Sequence, residues 1–281
     1  MNENINNLYY IARQAKADDN SVSAAEYYNE ILKINGTDWE AVFFATYFRE
    51  RNQNIANIPV SAQRVGNILK TVMQLIAKNA ESQDAQLAAV QEVCNHVYLM
   101  ARIDVSAATN TYAKSIVAYQ FIPQYVSCIT NVTDLLYALG DSIEGCFVDV
   151  PAMNDHMVVA WKEAIALHCS ISSYVFASTA IEQSQAIIDK YSEKVRKCDP
   201  TFETPVFKKQ ISMKDVQNKA SSLFNKARGL FNKASNGENA TKANTSDNNV
   251  TEGLKKLKEL LDAGLISEED FEAKKKQILG I

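Results

Sequence analysis

The sequence predicts an all-α protein: an irregular array or bundle of helical hairpins, followed by a small two-helix hairpin at the C-terminus. Nine glycines and five prolines are few for 281 residues, and Ala, Gln, Lys, Glu and Leu recur in long stretches, which favours helix. Apolar residues also recur at spacings of three and four, the period of a helix with one buried face. With 47% hydrophobic residues, the chain can bury a large core without disulfides or metals.

Residues 4–50 are predicted to form three helices. Their apolar stripes run through Leu8, Ile11, Ala12 and Ala15, then Ala24, Tyr27, Tyr28, Ile31 and Leu32, then Trp39, Val42, Phe43 and Tyr47. Asn35 and Gly36 are expected to end the second helix, with Gly36 in the left-handed conformation that a helix C-terminus favours. Asp38 is expected to cap the third helix.

The first two stripes have the spacing of a known repeat. Leu8, Ile11, Ala12 and Ala15 fall on the first-helix signature positions of a tetratricopeptide repeat, and Ala24, Tyr28 and Ile31 fall on those of its second helix. Residues 5–50 therefore resemble the tetratricopeptide (TPR) family. Ala15, Ile31 and Gly36 depart from its pattern, where an aromatic residue, Ala and Pro are usual. Because one repeat cannot bury its own face, later helices are expected to stack on it.

Further amphipathic helices are predicted between residues 60 and 140. One face contains Val65, Ile68, Leu69, Val72 and Ile76, and the next contains Leu87, Val90, Cys94, Val97 and Ala101. Residues 106–140 read as a helix pair, or as one helix disturbed at Pro123. Gly140 and Gly145 are expected to lie in a loop that continues through residues 149–151.

A long helix is predicted from residue 157 to residue 195. The stripe of Met157, Trp161, Ala164, His168, Ile171, Val175 and Ser178 alternates spacings of four and three. About 40 helical residues would reach about 60 Å and form a strut. Residues 198–205, which include Pro200 and Pro205, end this pattern. We therefore expect a helical domain that spans residues 1–205.

The charge is distributed unevenly along the chain. Residues 1–205 carry 15 basic and 23 acidic groups, whereas residues 206–234 carry seven basic groups against Asp215 alone. The sequence Leu-Phe-Asn-Lys-Ala occurs at residues 223–227 and again at 230–234. A helix over residues 211–234 would carry an apolar face and a cationic row, formed by Lys219, Leu223, Phe224, Lys226, Leu230, Phe231 and Lys233.

Three interpretations of this basic amphipathic helix are open. The excess of acidic groups in residues 1–205 favours a helix packed on that domain. A basic amphipathic helix also suits an anionic membrane surface. A partner helix is the third interpretation, and a nucleic acid is disfavoured.

The C-terminus contains a predicted linker and hairpin. Residues 235–251 are rich in Asn, Ser and Thr with almost no apolar residues, which is typical of a flexible linker. Residues 252–281 then show two short apolar-faced helices, with Ser267 and Asp270 placed as a capping box at the second. The ordered set is Leu261, Ala263, Gly264, Leu265, Ile266, Ser267, Phe271, Lys274 and Lys275.

This order strongly resembles the bacterial short C-terminal domain, SHOCT. The resemblance implies a terminal module that mediates oligomerisation or other contacts and no enzymatic activity. A solvated helical pair is the alternative. The apolar side chains expected to contact a second copy or a protein partner are Leu257, Leu260, Leu261, Leu265 and Phe271.

No catalytic, cofactor or metal motif is found in the sequence. The five cysteines form no CxxC pair, and His168 and Cys169 are helix neighbours that point about 100° apart. The N-terminus lacks the pattern of a secretory signal, and no apolar run is long enough to span a bilayer. We therefore expect a cytoplasmic, non-enzymatic scaffold or interaction protein without a cofactor. A peripheral membrane protein and an enzyme with a site not visible in sequence are the alternatives.

Overall fold

The computed structural model describes residues 2–51, 54–113, 118–147, 149–175 and 177–207. These residues form eight α-helices, joined by short turns, and contain no β-strand. The fold is therefore all-α, as predicted. The helices are α1 (Asn2–Ala17), α2 (Ser21–Ile34), α3 (Trp39–Arg51), α4 (Ile58–Asn79), α5 (Gln83–Ala108), α6 (Ile122–Phe147), α7 (Asn154–Ser170) and α8 (Ser178–Cys198).

The three predicted N-terminal helices are present, and side chains cap the second and the third. Asn20 accepts a hydrogen bond from the Ser23 amide at the start of α2, and Asp38 accepts one from the Ala41 amide at 2.7 Å in α3. The left-handed conformation expected of Gly36 is not observed. Instead, the Asn35 side chain accepts hydrogen bonds from both the amide and the hydroxyl of Thr37, which closes the turn without it.

Consecutive helices α1 to α4 pack as hairpins, and α6 then occupies the centre of the core. It packs against α4, α5 and α7, while α8 packs on α7. One face of α6 is buried along its whole length, from Tyr125 to Phe147. The core is therefore organised around a helix that contacts non-consecutive as well as consecutive neighbours.

The chain between α5 and α6 corrects two predictions. Helix α5 continues to Ala108, passes into a π-helical turn (Thr109–Ala113), and is followed by a 3₁₀ turn (Ala118–Phe121) before α6 begins. Pro123 is thus the second residue of α6, where its missing amide costs no helical hydrogen bond. Gly140 and Gly145 lie inside α6, so the loop predicted there is wrong.

The predicted strut is also wrong, because the chain turns between residues 171 and 177. Helix α7 ends at Ser170, a 3₁₀ turn spans Ser172–Tyr174, and α8 begins at Ser178. Ile171 leaves the helical conformation, with φ −92° and ψ 1°, and its side chain is buried. Since α8 folds back on α7, the apolar stripe is divided between α7 and this connection rather than lying on one long helix.

Two further expectations concern cysteines and membranes. All five cysteines are free: Cys94 and Cys128 are buried, Cys146 and Cys169 are half-buried, and Cys198 is exposed. In the described part of the chain, no helix is both long enough and apolar enough to cross a membrane.

Candidate functional site

Both predicted sets of contact residues lie outside the described residues. These are the cationic and apolar set at residues 219–233 and the apolar hairpin set at residues 257–271. The candidate site within the described residues is a different one, which the sequence did not indicate.

A groove of about 440 Å³ lies between α1, the start of α3 and the turn from α4 to α5. We call it the Arg13 groove. Small residues of α5, namely Ala85, Ala88 and Ala89, form part of its lining, because their spacing of three and four places them on one helix face. The other lining residues are Arg13, Lys16, Trp39, Glu40, Asn79, Ala80, Glu81 and Glu92.

A buried carboxylate, Glu40, anchors the groove. It lies in the first turn of α3 and is only 6% exposed. Arg13 of α1 donates to both of its oxygens, with Nε 3.0 Å from Oε1 and Nη2 2.6 Å from Oε2. The Tyr28 hydroxyl of α2 donates to Oε1 at 2.8 Å. The carboxylate therefore links the first three helices.

Lys16 extends this network to α5. Its Nζ lies 2.6 Å from Oε1 of Glu92 and 3.6 Å from Oε1 of Glu40. The same ammonium lies 4.1 Å from the ring centroid of Phe44, a cation–π distance. One lysine thus contacts charges on α3 and α5 and an aromatic ring beneath them.

The network keeps Glu40 charged at neutral pH. Burial alone would raise its pKa, but hydrogen bonds from Arg13 and Tyr28, with the charge of Lys16, hold the pKa below its usual value. Burial, together with the Glu40 charge, raises the pKa of Tyr28 well above its usual value. Tyr28 therefore remains a hydrogen-bond donor at any physiological pH.

An aromatic cluster lies behind the groove. His96 of α5 meets the rings of Phe44 and Tyr47 edge-on, at centroid distances of 4.9 and 5.1 Å. Its Nδ1 lies 2.9 Å from the Glu92 carbonyl oxygen. Burial lowers the pKa of His96, so it packs as a neutral ring. This histidine holds α5 against α3.

A second depression, of about 600 Å³, adjoins the groove and shares Arg13 with it. Its lining includes Tyr9 and Tyr10 of α1, and Tyr10 is 71% exposed. The Arg13 guanidinium lies 5.1 Å from the ring centroid of Tyr9. Tyr, Trp and Arg are the residue types enriched where proteins contact one another.

His168, which the sequence analysis considered beside Cys169, lies in the core. Its Nδ1 is 3.4 Å from the Tyr137 hydroxyl, and its ring meets Phe207 at a centroid distance of 5.4 Å. Burial lowers the pKa of His168. Among residues that the structure describes, no cluster of His, Cys, Asp and Glu could hold a metal ion.

Sequence reasoning missed the Glu40 network because its members lie on four helices. One signal was available: Glu40 stands between Trp39 and Phe43 of α3, so burial of that helix would bury the carboxylate as well. Two other members of the network, Arg13 and Glu92, are however 27 and 52 positions away from Glu40 in the chain.

Comparison with known proteins identifies the C-terminus. Residues 254–279 match the SHOCT family, described as the short C-terminal domain. No curated protein and no solved structure matches the chain. The match confirms the resemblance drawn from the order of residues 261–275.

Proposed function

We propose that this chain is a non-catalytic scaffold or interaction protein, in which a helical platform carries a C-terminal hairpin that mediates self-association or partner contact. The observation that carries the proposal is the SHOCT match at residues 254–279. It follows a polar stretch, residues 235–251, whose composition is that of a linker.

The composition of the hairpin supports self-association. Its sequence places Leu257, Leu260, Leu261, Leu265 and Phe271 within 15 residues. A segment of about 30 residues is too small to bury so many large apolar side chains by itself. Contact with a second copy would remove them from water.

The platform supports partner contact. The Arg13 groove and the adjoining tyrosine depression provide a continuous surface in which Arg13 is shared. Its charged groups are held by the pairs from Arg13 to Glu40 and from Lys16 to Glu92. A fixed surface of this kind loses little conformational entropy when a partner binds.

Co-purification of two differently tagged full-length copies tests the proposal. We expect one tagged copy to retain the other, and Phe271→Glu in both copies to abolish retention, because a charge cannot enter an apolar contact without a large desolvation cost. Gln277→Glu, which introduces the same charge at a polar position of the hairpin, should retain the partner copy. Equal retention by all three proteins, or by none, would refute self-association through this face.

The charge asymmetry favours a second candidate function, peripheral membrane association. Residues 206–234 combine seven basic groups with the repeated Leu-Phe-Asn-Lys-Ala sequence, and basic amphipathic helices bind anionic lipid surfaces.

Sedimentation with lipid vesicles tests this candidate. We expect binding to anionic but not to neutral vesicles, weakening as salt rises, and lost in Phe224→Ala plus Phe231→Ala. Asn225→Ala plus Asn232→Ala changes the neighbouring position in each repeat and should bind as the parent chain does. No binding to anionic vesicles at low salt would leave a packed helix as the better account of this segment.

A further inference from the structure

Asp104, near the end of α5, is a buried carboxyl group without a counter-charge. Asp104 is 8% exposed, and its Oδ2 atom is buried without a hydrogen-bond partner. Burial of an unpaired carboxylate is costly, whereas the neutral acid is tolerated much better. The folded protein therefore favours the protonated form.

The charge of Asp104 contributes to raising the pKa of two titratable groups, Tyr47 on α3 and Cys128 on α6. The Tyr47 hydroxyl is buried and also lacks a hydrogen-bond partner. Burial, with smaller effects from Asp19 and Asp104 and despite the Arg51 charge, raises its pKa to about 12. Burial and the Asp104 charge raise the pKa of Cys128 to about 11.

No cation among the described residues compensates Asp104. The Arg51 guanidinium on α3 lies 5.9 Å from the ring centroid of Tyr47 and is paired with Asp19. Neither α4 nor the turns at residues 55–57 and 109–113 contribute a charge that shifts the Asp104 pKa, and burial alone raises it to about 7. Loss of the proton therefore leaves a negative charge in an apolar contact.

The backbone beside Asp104 is suited to opening. Four residues further on, α5 gives way to the π-helical turn at Thr109–Ala113, a conformation that is rare and marks local departures from regular helix. The turn packs on α5, α6 and the following 3₁₀ turn. Release of this segment would give water access to Asp104.

We propose that Asp104 is a proton-linked latch: the end of α5 stays packed on α6 while the Asp104 carboxyl is neutral, and loss of the proton favours an open form of residues 104–113. This device is independent of the C-terminal hairpin. It makes residues 104–113 the part of the platform that responds to pH.

The pH dependence follows from proton linkage. In the closed form the Asp104 pKa is about 7, against an ordinary value of 3.8 when water reaches the group. Between these two values the open form is ionised while the closed form still holds its proton. The opening equilibrium constant should therefore rise roughly tenfold per pH unit between about pH 4 and pH 7, and stay level above that range.

Amide hydrogen exchange on the full chain tests the proposal. After correction for the intrinsic exchange rate, we expect the protection of amides 105–112 to fall roughly tenfold from pH 5 to pH 6 and to stay constant from pH 8 to pH 9. Asp104→Asn, which cannot ionise, should give constant protection throughout. Asp84→Asn alters an exposed carboxyl of the same helix and should follow the parent chain.

Two results would overturn the proposal: protection in the parent chain that does not change between pH 5 and pH 6, or the same fall in Asp104→Asn. If Asp104→Asn does not fold, the carboxyl carbon resonance of Asp104 in the parent chain gives the answer. A midpoint near 7 supports the latch, and a midpoint near 4 refutes it.

Discussion

Gly140 of α6 and Trp161 of α7 approach each other more closely than any side chain at position 140 would allow. A Cβ atom built on Gly140 would lie 2.4 Å from Nε1 and 2.6 Å from Cδ1 of the Trp161 ring. The indole nitrogen donates a hydrogen bond to Asp141 at 3.2 Å. The glycine therefore allows α7 to insert its largest buried side chain against α6.

Gly140→Ala is expected to destabilise the protein by about 1–3 kcal/mol, because the added methyl group must displace the Trp161 ring. Gly145→Ala is the matched control in the same helix. Nothing lies within 4 Å of a Cβ at that position, so alanine should stabilise the helix by up to about 1 kcal/mol. Urea unfolding followed by circular dichroism measures both changes. Equal effects of the two substitutions would show that the close approach has no energetic consequence.

Tyr191→Phe is expected to cost about 1 kcal/mol, the contribution of a typical hydrogen bond. The Tyr191 hydroxyl donates to Asp141 at 2.7 Å, and Lys194 donates to the same carboxylate at 2.8 Å. The ring itself should stay stacked on Tyr137, at a centroid distance of 3.9 Å. Tyr10→Phe, at an exposed hydroxyl, should change the free energy of unfolding by less than about 0.5 kcal/mol. A loss as small for Tyr191→Phe would contradict the expectation.

Glu40→Gln should destabilise the protein by about 2 kcal/mol at pH 7, because Arg13 and Lys16 lose a buried partner. The folded-state pKa of Glu40 is lowered, so its contribution is complete above the unfolded value near 4.5 and is lost as pH falls through the folded pKa. The difference in the free energy of unfolding between Glu40→Gln and the parent chain should therefore become smaller below pH 4. Unfolding free energies at pH 7, 4 and 3 measure it.

Glu30→Gln is the control for this prediction. Glu30 pairs with Lys33 on the exposed face of α2, and its loss should change the free energy of unfolding by less than about 0.5 kcal/mol. A gap for Glu40→Gln that is independent of pH would contradict the role assigned to the ionised carboxylate.

Removal of residues 235–281 should leave the melting temperature of the remaining domain unchanged within about 2 °C. The reason is that the polar composition of residues 235–251 offers little apolar surface for docking. Differential scanning calorimetry of the full and shortened chains compares the two. An unfolded shortened chain would mean that the hairpin belongs to the core.

The sequence predicted helices correctly where the evidence for each helix lies within a few neighbouring residues. The cap at Asp38 and the stripes of α1 to α5 depend on residues three or four positions apart, so the local pattern was sufficient to locate these helices. The position of Gly140 within α6 could not be inferred in this way. Its place depends on Trp161, 21 positions away, and an isolated glycine with no visible partner indicates a loop.

The stripe through residues 157–178 shows the opposite error. The apolar spacing continues across the turn after α7. Ile171 lies in that turn, yet its side chain is buried, as it would be on a continuous helix. Periodicity reports which residues are buried, and it does not show where the chain changes direction. The Glu40 network was missed for a related reason: Arg13, Tyr28 and Glu92 come together only when four helices pack.

Sedimentation velocity of the full-length chain over a range of concentrations tests the central claim, that the C-terminal hairpin mediates self-association. We expect the weight-average sedimentation coefficient to rise with concentration, and Leu261→Glu to lower it at every concentration, because the charge opposes burial of the apolar face. Gln277→Glu should follow the parent chain. A concentration-independent monomer for the parent chain, or an oligomer that Leu261→Glu leaves unchanged, would contradict the claim.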